Sequence, residues 1–324
     1  MREIRISGRE AGQRLDKFLG KYLREAGKGF LYKMLRKKNI TLNGGRADGS
    51  EKLAEGDTVR LFLSEETLEK FCGKVSGAGQ AQWGAKLEIL YEDSQVILVN
   101  KPAGMLSQQA EAGDVSLCEH LTSYLLASGQ LTEAELAVFR PGVCNRLDRN
   151  TSGLVAAGKT IRGLQALSEL FRQRSLDKYY LALVRGIGLK ARRLEGYLRK
   201  DAASNTVAVS ARPAEGSSFI CTAYEPVEEG EGATLLRVHL ITGKTHQIRA
   251  HLASIGHPIL GDRKYGEPRP EFPRQMLHAW ELVFPNPLPG LPQLAGRRFQ
   301  APLPADFRKA LQKLGMPAIP EQMP

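Results

Sequence analysis

The sequence is poor in the features on which several protein classes depend. Its 324 residues contain four cysteines, Cys72, Cys118, Cys144 and Cys221, scattered and without a C-x-x-C pair. This argues against a disulfide scaffold or a thiolate zinc site and leaves four reduced thiols. No apolar run approaches the roughly 18 residues of a membrane span. The opening Met1-Arg2-Glu3-Ile4-Arg5-Ile6 alternates charged and apolar residues, unlike a signal peptide. A cytoplasmic protein without membrane association is expected. Nucleotide and metal signatures are missing too. Gly243-Lys244-Thr245 ends like a phosphate-binding loop, but Val238 stands where that loop needs its first glycine. His246 and His251 are five apart with no Glu between them, so an H-E-x-x-H zinc site is excluded. There is no G-x-S-x-G elbow, no G-x-G-x-x-G after a strand, and no internal repeat.

What remains is an ordinary globular composition, 42% hydrophobic and 25% charged, long enough for about two domains. Charge is the first positive signal. The net is +11, and residues 1–62 hold 15 Lys and Arg against 8 Asp and Glu. A small basic module therefore leads a larger and milder one, which points to a polyanionic partner, most simply nucleic acid.

Apolar spacing gives the elements. Leu15, Phe18, Leu19, Tyr22 and Leu23 form one helical face, which Gly27 and Gly29 should end. A second short helix, FLYKMLRKK, sets Leu31, Met34 and Leu35 against Lys33, Arg36 and Lys37, with Lys38 at its end. Asn43-Gly44-Gly45 signals a turn, and Val59, Leu61 and Leu63 alternate as a closing strand. Residues 1–63 thus read as a small α/β module. Residues 64–86, polar and then rich in Gly, Ala and Gln, read as a flexible linker, with Trp83 unplaced. From 87 onward, strands are expected at 87–91, 96–99, 154–157, 179–184, 206–209, 220–224 and 234–240. Helices are expected at 115–128, 160–173 and 245–255. The order lacks strict βαβ alternation, so the larger module, 87–324, should be α+β with a mixed, largely antiparallel sheet. Its proline-rich tail beyond 281 should wrap the surface.

The chemistry concentrates in Asn145-Arg146-Leu147-Asp148-Arg149-Asn150-Thr151-Ser152-Gly153. Flanking arginines favour an ionised Asp148, fit to be a nucleophile or general base, or simply the anion of a salt-bridged loop. NRLDRNTSGL resembles the catalytic motif of the RluA family of pseudouridine synthases, usually HRLDRxTSGL. LVNKPAGM (98–105), LDKYYLALVRG (176–186), LITGKTHQIRAHLASIGHPILGDRKYG (240–266) and APLPADF (301–307) resemble further motifs of that family in the same order. Residues 13–62 resemble the S4 RNA-binding domain that often precedes its catalytic domain.

The resemblance implies isomerisation of uridine in RNA to 5-ribosyluracil, without metal or cofactor. Asp148 matches the essential carboxylate, whether it attacks the ribose, attacks the base or removes a ribose proton. Arg146 matches the arginine that fills the gap left by a flipped nucleotide. Tyr180 matches the tyrosine that stacks on the uracil. Lys178 shares its strand face, while Tyr179 is assigned to the core. Arg249 matches the ionic partner of the Asp. Lys244 and Thr245 would hold a backbone phosphate at a helix N-terminus, with His246 and Gln247 orienting the loop beside the substrate. His251 and His257 are read as structural. Two positions depart from the family pattern. Asn145 replaces His, and Lys244 replaces Arg, losing the bidentate fork. In the leading module Lys33, Arg36, Lys37 and Lys38 would contact RNA phosphates. The arrangement of modules resembles members acting on large-subunit (23S) ribosomal RNA, and a monomer is expected. Transfer RNA, a non-catalytic RNA-binding or assembly role, and a glycosidase using Asp262 as second carboxylate are the alternatives.

Overall fold

The computed structural model describes residues 1–72, 87–111, 113–201 and 206–317. The leading module consists of β1 (Arg2–Arg5), α1 (Leu15–Tyr22), α2 (Lys28–Arg36), β2 (Ile40–Leu42), β3 (Gly45–Arg46), β4 (Thr58–Leu61) and α3 (Glu65–Cys72). Its antiparallel sheet runs β1-β4-β2-β3. The apolar stripe of α1 is buried as its spacing demands, with Leu15, Phe18, Leu19 and the following Leu23 all inaccessible. Asn43 and Gly44 take φ of 51° and 75°, the left-handed pair that a two-residue hairpin needs between β2 and β3.

Two sequence expectations are corrected here. Gly27 caps α2, but Gly29 lies inside its first turn, so only the first glycine separates the helices. The module also does not end at 63. Leu68 of α3 is buried in its core, and Phe71 packs on Phe30 with ring centroids 4.5 Å apart. The polar run SEETLEK hid this helix because its inward Leu68, Phe71 and Cys72 gather toward its C-terminal end, too short a stretch to register as periodicity. Residues 73–86 of the expected linker, Trp83 included, lie outside the described residues.

The second module contains β5 (Glu88–Glu92), β6 (Val96–Lys101), α4 (Leu117–Ala127), α5 (Glu133–Val138), β7 (Gly142–Val143), β8 (Ser152–Gly158), α6 (Ile161–Gln173), β9 (Asp177–Arg185), β10 (Arg192–Asp201), β11 (Thr206–Ser210), β12 (Ser218–Gly230), β13 (Ala233–Leu240), α7 (Gln247–Ser254), β14 (Leu277–Val283), β15 (Arg298–Gln300) and α8 (Ala305–Lys313). Among the described residues one 11-stranded sheet runs β11-β10-β12-β13-β9-β14-β8-β6-β5, with β15 on β14 and β7 on β8. The pairing of β14 with β8 is parallel and the other strand pairings are antiparallel, the α+β arrangement expected. The central strands are apolar on both sides. Ile97, Val99, Val155 and Ala157 enter one core, and Val96, Leu98, Leu154 and Ala156 enter the other.

The tail beyond 281 does not merely wrap the surface. Phe284, Leu288, Leu291, Leu294 and Phe299 complete the second core, and Phe307 of α8 is fully buried in the first. Its prolines interrupt the periodicity without lowering the apolar content. Strand β10 was likewise missed, because Glu195 and Tyr197 separate its inward Leu194, Gly196 and Leu198 between charged ends.

The modules touch directly. Val138, at the end of α5, is buried in the core of the leading module. The Ile161 amide donates to the Arg9 carbonyl at 3.1 Å, and Arg9 pairs with Glu135 at 3.6 Å.

Candidate active site

The loop 145–151 crosses one end of the sheet between β7 and β8. Each stretch of it is fixed by a side chain from elsewhere. Asn145 donates its amide to Leu154 O at 3.0 Å and accepts from Ala156 N at 2.8 Å, acting as a short extra rung beside β8. The residue that departs from the family pattern thus makes a structural pairing of its own. Ser107 Oγ accepts from Leu147 N at 3.0 Å and donates to Leu147 O at 2.9 Å. Arg274 donates to Asn150 O at 3.1 Å and is itself held by Asp306 of α8 at 2.6 and 3.0 Å. Gly153 then enters β8 with φ of 115°, where a Cβ would lie 2.1 Å from Ala279 O. Only glycine fits this crossing of β8 and β14.

Lys101 was not singled out from the sequence, although it closes the apolar run of β6. It is fully buried and donates to Pro102 O at 2.9 Å, Met105 O at 2.8 Å and Arg149 O at 3.2 Å. Burial, with the nearby Arg274, pushes its ammonium down to about 7, against the pull of Asp148. The three carbonyls favour the charged form. Lys101 thus ties the 102–105 turn to the residue following Asp148.

The Asp148 carboxylate is partly exposed, and Arg249 Nη1 donates to its Oδ2 at 2.8 Å. Arg249 is nearly buried, and its other edge forks onto Asp262, with Nε and Nη2 each 2.7 Å from a carboxylate oxygen. Asp262 is fully buried and accepts further from Lys264 N at 2.9 Å. Burial opposes both charges, but each overcomes it through the other. Arg249 stays above its ordinary pKa by its hydrogen bonds and charge contacts with Asp262 and Asp148, and Asp262 stays below its own by those of Arg249. The planar fork is essential to this geometry, since one guanidinium serves two carboxylates in fixed directions. Asp262 is therefore no second acid for glycoside chemistry. It is sealed behind Arg249.

His246 precedes α7 with φ of 55° and is its cap, not a member of the helix as the spacing suggested. Its Nε2 is 3.8 Å from Asp148 Oδ2, and its Nδ1 is 2.9 Å from the Tyr265 hydroxyl. Burial lowers its pKa, with Asp148 pulling upward. Tyr265, which sequence reasoning passed over, also accepts from Val207 N at 2.8 Å and lies under the Arg249 guanidinium at 5.1 Å. Its signal was only its place in the GDRKYG run.

Tyr180 on β9 is 8% exposed, and burial followed by the charge of Asp148 raises its pKa. Its ring belongs to the site side of the sheet. Tyr179 faces the other way, only partly buried, stacked on His239 at 4.7 Å beneath Arg237. Lys178 is buried on the Tyr180 face, but burial and Arg174 lower its pKa, and its charged neighbours are Arg174 and Asp177, not Asp148. Gln247 is also not free for a substrate. Its amide accepts from Thr242 Oγ1 and Lys244 N and donates to Cys221 O and Thr222 Oγ1 at 2.8 to 3.1 Å. Lys244 and Thr245 stand exposed on the rim, as does Arg146, while Asp148 takes Arg249 as its partner. His251 meets Thr222 at 3.0 Å and His257 meets Arg185 O at 2.9 Å, both structural as expected. Among the described residues no group of His, Cys, Asp and Glu could hold a metal ion, and no helix is long and apolar enough to cross a membrane.

Residues 95–254 match the family described as RNA pseudouridylate synthase. The chain is 31% identical over 324 residues to ribosomal large subunit pseudouridine synthase D of Nitrosomonas europaea, covering 96% of this chain and 87% of that one. It is 31% identical over 334 residues to ribosomal large subunit pseudouridine synthase C of Escherichia coli K12, covering 96% of each. Its fold resembles the solved structure of human RNA pseudouridylate synthase domain containing 4, with a TM-score of 0.56 and 22% identity across 70% of this chain and 93% of that one.

Proposed function

The chain belongs to the RNA pseudouridylate synthase family, and from that membership we propose that it isomerises uridines of large-subunit ribosomal RNA at Asp148. The observation that carries the site assignment is the single accessible carboxylate pinned by a buried, doubly anchored arginine. The reaction breaks the bond from N1 to the ribose C1′ and joins C5 to C1′, so one proton leaves C5 and one returns to N1. Asp148, kept in direct contact with Arg249, presents an oriented anion to the sugar or base. Its buried partner cannot swing away, because Asp262 holds the opposite edge. Tyr180 offers a ring whose burial keeps its hydroxyl protonated, suited to stacking on the uracil. Arg146, exposed at the loop edge, fits the space vacated by an extruded nucleotide. Lys244 and Thr245 on the rim suit a backbone phosphate.

The leading module is read as an S4-like RNA-binding unit. Lys33, Arg36, Lys37 and Lys38 all stand exposed on and after α2, available to phosphates.

Unmodified 23S ribosomal RNA and total transfer RNA, incubated with wild type and with Asp148→Asn, test the proposal by carbodiimide mapping. Reverse-transcription stops in the ribosomal RNA that vanish with the variant are expected. Stops confined to transfer RNA would move the substrate, and no stops with either RNA would favour a non-catalytic RNA-binding role.

A further inference from the structure

We infer that the cleft between the two modules grips a second stretch of RNA backbone, apart from the basic face of α2. This rests on the reading of the chain as an RNA enzyme. The cleft, of about 870 Å³, opens where α1 meets residues 136–140 and the start of α6. Its lining carries Arg14, Lys17, Lys21 and Arg24 from one module and Arg140 from the other, and it includes no carboxylate among the described residues. Lys17 and Lys21, four apart on α1, share one ridge away from its buried stripe, with Arg14 at the N-cap and Arg24 just past the helix end. Arg14 is engaged with Asp16 at 3.0 Å, while Lys21 donates to the neutral Gln13 amide oxygen at 3.2 Å. Lys17 and Arg140 are exposed. Lys17, Lys21 and Arg140, gathered at a concave seam whose described lining holds no carboxylate, repel one another, and an anion carrying regularly spaced charges relieves that repulsion.

Position favours RNA over an acidic protein segment. Arg140 leads through β7 toward the Asp148 loop. β7 pairs with the far end of β8, Gly142 opposite Gly158, while the Asp148 loop enters β8 at Ser152. The seven residues of β8 span roughly 20 Å, which is about six nucleotides of strand at ~3.4 Å per phosphate. A strand in helical geometry with its uridine at Asp148 therefore covers the length of β8 toward the cleft in about six nucleotides.

The test measures Kd by filter retention for two RNAs sharing one target loop, one ending within about three nucleotides of the uridine and one extending about twelve on either side. Lys17→Glu, Arg140→Glu and the double variant are compared with wild type across salt concentrations. For the long RNA, each variant should bind about three- to tenfold more weakly, with the salt slope reduced by about one per charge removed. The short RNA should bind as wild type does, which also shows that the variants are folded. Equal Kd for the long RNA, or equal losses for both RNAs, would overturn the inference and leave the cleft to an acidic protein partner. Because Kd is read directly, this result is separate from whether the chain makes pseudouridine.

Discussion

At the residue scale, the notable side chain is one that touches no substrate. Asp262 faces only Arg249 and backbone amides, yet it decides where the Arg249 guanidinium points. Asp262→Asn puts a donor amide where a second acceptor stood and leaves a buried cation half paired. Breaking such a pair costs about 3–5 kcal/mol. The expected outcome is a lower urea midpoint together with a kcat reduced about ten- to a hundredfold, with KM less affected, since the ground-state contacts on the rim survive. Single-turnover pseudouridine formation on the same RNA checks it, and a change confined to stability would reduce Asp262 to a folding role. This pairing was not legible in the sequence. Asp262 and Arg249 are 13 residues apart, and neither spacing nor charge tells a buried fork from two solvated residues. Asp148 was legible, because an acid between two arginines in a loop ending in glycine is uncommon enough to stand out, and the family motif fixed the rest.

At the element scale, the strands carrying the site are long and apolar on both faces, so β6, β8, β9 and β13 could be read from composition alone. What could not be read was their order. The crossing of β8 with β14 depends on a backbone approach that leaves no room for a side chain at Gly153. Gly153→Ala combines a positive φ with a clash against the backbone of Ala279, and it should destabilise the protein by about 3 kcal/mol. Urea unfolding measures this directly, and a shift below about 0.5 kcal/mol would show that the crossing yields easily. Some elements that escaped sequence reading share one cause, though the apolar β14 and the capped α5 do not. In α3, β10 and the segment after 281, inward residues are separated by charges or prolines, so tertiary packing supplies the regularity that the local pattern lacks.

At the scale of the whole molecule, acid sensitivity follows from two histidines buried in the neutral form. Burial lowers His251 and His278 to about 4 from 6.5. The unfolded chain takes up these protons below pH 6.5 and the folded chain only near pH 4, so their contribution is complete above 6.5 and is lost as pH falls toward 4. Asp262 and Asp306, lowered by the arginines they hold, act in the same direction at still lower pH. His278, between Ser152 Oγ at 2.9 Å and Ala301 O at 3.1 Å, is the cleaner probe. Between pH 7 and 5 it should account for roughly 2 kcal/mol of lost stability. His278→Gln should flatten the pH dependence of the urea midpoint by that amount, and parallel curves for the two proteins would remove His278 as the source. None of this was visible beforehand, because burial of a lone histidine depends on the fold and not on its neighbours in sequence.

Val138 belongs by sequence to one module and by packing to the other. The distance between the exposed lysines of α2 and the Asp148 loop is thus set by side-chain contact, not by the length of chain joining the two parts. With RNA held at both places as proposed, such an arrangement would act as a caliper, matching the protein to RNAs whose shape holds two features at one fixed separation.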